Sequence, residues 1–112
     1  MMLARMDAVS RKLRQQPAFE DGRRDADAAI AGGALEYRIS GKLDWTACEQ
    51  AAALLKQRFG IRLRLVGHCI VQNGALDEGF NERMTEEFLE RFGRDAVAEV
   101  FREVERKRRQ HR

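Results

Sequence analysis

The spacing of apolar and polar positions changes several times along the chain, and the changes mark out its elements. Leu35, Tyr37 and Ile39 alternate with Glu36, Arg38 and Ser40. This period of two gives a strand one apolar face and one wetted face. Asp44 follows, with a side-chain oxygen for the free amides of a helix start, and Gly60 supplies the left-handed residue on which a helix ends. Between them Trp45, Cys48, Ala52, Leu55 and Phe59 recur at helical spacing, and this stripe is expected to be the buried face. Ile61, Leu63 and Leu65 then alternate with Arg62 and Arg64, so a second strand starts directly after the glycine. A crossover helix between two strands of one sheet implies that they are parallel, with a right-handed connection.

Helical patterns flank this unit. Met2, Met6, Val9 and Leu13 fall at i, i+4, i+7 and i+11 and predict an amphipathic helix ending near Gln16. Pro17 opens a second helix whose stripe is Phe19, Ala26 and Ile30 and which Gly32 and Gly33 stop. Gly22 costs that helix about 1 kcal/mol relative to alanine, so an ordered start near Asp21 is expected. After the second strand, residues 61–71 admit two readings. One is a single long strand with a bulge at Gly67, favoured because residues 65–71 are apolar on both faces. The other is a hairpin turning on Gly67 and His68, with residues 69–71 as a third strand. A helix carrying Leu76, Phe80, Met84 and Phe88 then runs to Phe92, Gly93 ends it, and Asp95 caps a last helix with Val97, Val100, Phe101 and Val104 on one side. Residues 105–112 lack an apolar side and are expected to be a fraying helical extension or disordered. The fold class is α+β: a small two- to three-stranded sheet with a β-α-β unit, covered by N-terminal and C-terminal helices. One domain spans 1–105, and 106–112 form a basic C-terminal tail.

Charge changes this picture at one end only. The 112 residues carry a formal net charge of +3, yet Arg106, Lys107, Arg108, Arg109 and Arg112 supply five of the 21 Lys and Arg, whereas all 18 Asp and Glu precede them. The body is slightly acidic, so any attraction for nucleic acid rests on the tail. The first 16 residues place Arg5, Asp7, Arg11, Lys12 and Arg14 where a signal peptide needs an unbroken apolar core, and no run approaches the ~20 apolar residues of a membrane span. A cytoplasmic protein with no membrane attachment is expected. Cys48 and Cys69 read as small buried hydrophobes in a reducing compartment; a disulfide between helix and strand is the alternative.

Candidate chemistry is sparse. No Gly-rich phosphate loop, nucleophile elbow or dinucleotide fingerprint is present, and no spacing of Cys and His matches a zinc site, so neither cofactor nor metal is expected. His68 and Cys69 are adjacent, and neighbouring strand residues point to opposite faces, which argues for packing and against a dyad. Asp77, Glu78, Glu82, Arg83, Glu86, Glu87, Glu90 and Arg91 lie mostly off the apolar stripe and read as a solvated helix face with an i, i+4 pair from Glu87 to Arg91. Trp45 is either an anchor for a partner or, the plainer reading, a partly buried lid over the end of the sheet. Arg106, Lys107, Arg108 and Arg109 either meet nucleic-acid phosphates or complement the helix end, with Glu103 to Lys107 and Glu105 to Arg109 in favourable i, i+4 order.

The segments Leu35-Glu36-Tyr37-Arg38-Ile39, Gly67-His68-Cys69-Ile70-Val71 and Gly79-Phe80-Asn81-Glu82-Arg83-Met84 resemble a loose group of small uncharacterised bacterial proteins, over residues 25–100. The resemblance implies a bacterial cytosolic protein and a surface shared through Asn81. The plain reading of Asn81 is an exposed helix residue. The functional expectation is a small non-catalytic protein-interaction or homo-oligomeric module, because the stripes of Met2 to Leu13 and Val97 to Val104 exceed what two strands can cover. The alternative is a nucleic-acid-associated accessory protein using the basic tail.

Overall fold

The computed structural model describes residues 12, 14–40, 44–66 and 74–110. Its elements are α1 (Pro17–Ala31), β1 (Leu35–Ile39), α2 (Trp45–Phe59), β2 (Ile61–Leu65), α3 (Gly74–Phe92) and α4 (Ala96–Gln110). The α+β class holds, with a two-stranded parallel sheet in which Leu35 faces Ile61 and Ile39 faces Leu65. The hairpin alternative, the long-strand reading beyond Val66 and most of the N-terminal helix lie outside the described residues; Lys12 and Arg14 are helical.

The punctuation works as its chemistry dictates. The Asp44 side chain accepts from Ala47 N–H at 3.1 Å, and that of Asp95 accepts from Ala98 N–H at 3.1 Å. Gly60 at φ 68° and Gly93 at φ 71° take the left-handed turn after α2 and α3. One expectation is corrected. α1 starts at Pro17, and Gly22 lies inside it as a buried contact. A Cβ on Gly22 would stand 1.9 Å from the Leu76 carbonyl oxygen, and one on Gly79 would stand 2.0 Å from that of Phe19. With Ala26 and Ala75, these glycines let α1 and α3 cross with their backbones in contact, which repays the propensity lost at Gly22.

The core joins Ala51 and Leu55 of α2, Ile61 of β2, Phe80, Met84 and Phe88 of α3, and Ala96, Val97, Val100 and Val104 of α4. The Val97 to Val104 stripe, expected to be spare, is buried, with α4 packed along α2. The buried face of α2 is also turned from the expected stripe. It comprises Ala47, Cys48, Ala51 and Leu55, with α4 packed along α2 and Trp45 on the outer side. The mixed charges of α3 do not all face water either. Arg23 reaches across from α1 to Glu82 and Glu86, Arg83 to Asp27, and Glu87 is only 9% exposed between Arg83 and Arg91. Among the described residues, no helix is long and apolar enough to cross a membrane.

Candidate interaction surface

Trp45 is the first residue of α2, held in place by the Asp44 cap beside it. At 100° per residue, Trp45, Glu49 and Ala52 share a side adjoining the buried face, and Cys48 lies on the border between the two. On β2, Leu63 and Leu65 continue the alternation begun by the buried Ile61, but burial declines toward the strand's end as the sheet runs out. The two margins meet in an apolar groove of about 200 Å³, lined by Trp45, Cys48, Glu49, Ala52, Leu63 and Leu65. Trp45 is 61% exposed and Leu65 42%, which corrects the reading of Trp45 as a lid. Cys48 at the groove floor is a free, buried thiol; burial pushes its pKa up and keeps it protonated, and the disulfide alternative falls on Cys69, outside the described residues. Cys69 and His68 lie outside the described residues.

The tail cations are not spread into solvent as a separate segment. α4 is helical through Gln110, and Lys107 pairs with Glu103 at 3.5 Å, Arg109 with Glu105 at 3.8 Å, and Arg108 with Asp44 at the start of α2. Arg58 of α2 meets the same Glu103 at 2.5 Å. Its hydrogen bonds hold the Glu103 carboxyl down to about 2. Arg106 has no ion pair among the described residues and lies with Arg102 along two shallow depressions whose rims mix Arg58, Glu99, Glu103 and Glu105.

Asn81 lines neither feature. It is partly buried, and its amide bonds to the backbone of Arg38, accepting from N–H at 2.9 Å and donating to C=O at 2.7 Å. The Arg38 guanidinium lies 3.8 Å from the centre of the Phe80 ring and bonds Asp77 at 3.1 Å. This cluster is internally satisfied, and among the described residues no buried side-chain polar atom lacks a partner. Nor do three His, Cys, Asp or Glu side chains converge as metal ligands among the described residues.

The structure therefore brings together Trp45, Leu63 and Leu65, and separately Lys107, Arg108 and Arg109 with acidic partners; it joins Asn81 to neither. Leu65 and Leu63 were not singled out from the sequence. Their alternation is that of a strand interior, and the last of them is exposed because no element among the described residues covers it. Compared with known proteins, the chain matches no family model, and no curated protein or solved structure is detectably similar to it.

Proposed function

We propose that this protein is a non-catalytic interaction module that takes an apolar side chain or helix face of a protein partner into the groove between α2 and β2. The observation that carries the reading is Trp45, an indole 61% exposed beside the 42% exposed Leu65. Exposed tryptophan next to aliphatic side chains and ringed by polar groups has the composition of a binding hot spot. The buried thiol of Cys48 accords with a reducing, cytosolic setting. As the only tryptophan, Trp45 reports on its own site. Titrating a panel of amphipathic helical peptides should give a saturable blue shift of its emission with members that carry an apolar stripe, and none with versions in which the stripe is scrambled. A panel without any shift would overturn the reading.

A second reading, nucleic-acid binding, draws on Arg102, Arg106 and Arg109, which follow one another at i, i+4 and i+7 on α4. It is the weaker, because Lys107, Arg108 and Arg109 are already engaged by carboxylates of the same chain. Affinity for a duplex that falls steeply with salt, and is lost when residues 106–112 are removed, would favour it; no measurable affinity at low salt would eliminate it.

A further inference from the structure

The chain itself carries an apolar stripe that suits the groove. Arg14 pairs with Glu82 of α3 at 2.6 Å and lies 5.9 Å from the centre of the Phe19 ring. α3 packs on β1, whereas the groove lies beyond β2, across the sheet. Apart from Lys12, the segment 2–13 lies outside the described residues. It carries the apolar stripe Met2, Met6, Val9 and Leu13, of the type that fills hydrophobic grooves by i, i+4, i+7 anchors. Its polar side is basic, with Arg5, Arg11 and Lys12 against Asp7, and the groove rim presents the carboxylate of Glu49, which has no ion pair among the described residues.

Resting on the interaction reading above, we propose that the occupant is a second copy of this chain: residues 2–13 of one protomer dock as a helix in the Trp45 groove of its partner, and the exchange is reciprocal. A reciprocal exchange closes under two-fold symmetry and would bury each groove against one stripe.

Sedimentation of the full chain should give a concentration-dependent mass rising from 12.9 kDa toward twice that value, with a parallel blue shift of Trp45 emission. Met6→Glu and Leu65→Glu should each weaken association at least about tenfold, the scale set by losing one buried aliphatic side chain. Leu65 lies off the buried core, and circular dichroism checks that both variants fold. Mixing the two variants is decisive. Leu65→Glu keeps an intact segment and Met6→Glu an intact groove, so the mixture should regain a heterodimer through one complete contact. A full chain that stays monomeric at all concentrations overturns the proposal, and so does an association that Met6→Glu leaves unchanged or that mixing fails to restore. If the chain is monomeric but striped peptides still shift Trp45, self-exchange fails and the interaction reading survives; if neither occurs, both fail.

Discussion

The carboxamide of Asn81 on α3 stands in for a missing strand along the outer edge of β1, closing both backbone groups of Arg38 with bonds of 2.9 and 2.7 Å. Consecutive residues of a strand direct their backbone groups to opposite edges. Ile39 faces β2, its carbonyl accepting from Val66 N–H at 2.9 Å, and Arg38 faces away. A two-stranded sheet has a second edge for every first one, and a side chain with one acceptor and one donor is the smallest group that satisfies such a position.

Replacing Asn81 with alanine should therefore cost about 1–3 kcal/mol, the scale of leaving partly buried backbone groups unpaired. Urea denaturation measures the loss, and exchange of the Arg38 amide proton should accelerate. Asn81→Asp keeps the acceptor but sets an oxygen against the Arg38 carbonyl, so it should recover only part of the stability. An Arg38 amide that exchanges as before in Asn81→Ala would count against the edge-closing role.

Gly22→Ala and Gly79→Ala invert the usual effect of adding a methyl group to a helix. On an exposed helix that change stabilises by about 1 kcal/mol. Here the new Cβ meets backbone oxygen at 1.9 or 2.0 Å, and backbone cannot swing aside. Each variant should lose about 1–3 kcal/mol or more, and thermal unfolding should show a fall of roughly 4–8 °C per kcal/mol.

Trp45 and Leu55 occupy one helix and should respond oppositely to truncation. Trp45→Ser removes a largely exposed ring and should leave stability within about 0.5 kcal/mol. Leu55→Ala opens a void in the core beside Ile61 and should cost about 2–5 kcal/mol. Chemical denaturation of the two variants checks the contrast. A large loss in Trp45→Ser would mean that the indole supports the fold.

Glu103 should supply part of the acid sensitivity. Arg58 holds its carboxyl down to about 2, below the ordinary 4.5, so the folded state binds that proton less readily than the unfolded chain. The contribution is complete above about 4.5 and drains away as pH falls toward 2. Glu86, bonded to Arg23, and Glu87, bonded to Arg91, are lowered too and act in the same direction. Thermal midpoints measured from pH 6 down to pH 2 should fall less steeply in Glu103→Gln than in the parent chain.

Local chemistry determined much of this protein from sequence alone. The period-two runs at 35–39 and 61–65, the caps at Asp44 and Asp95 and the left-handed Gly60 each act within a few residues, so strand, helix and turn were legible without knowledge of neighbours. The i, i+4 pairs of the tail were legible for the same reason. Tertiary structure alone decided what depends on which surfaces meet. A glycine that weakens a helix in isolation became the contact point of two helices at Gly22, since its value lies in the approach of Leu76, 54 residues away. An asparagine on a charged helix became an edge cap because α3 lies along β1. The exposure of Trp45 followed from tertiary packing, in which α4 lies along α2 and the buried face of α2 is that of Ala47, Cys48, Ala51 and Leu55. Periodicity tells which residues share a side; only the packed neighbours determine which side is covered, and here they left the groove open.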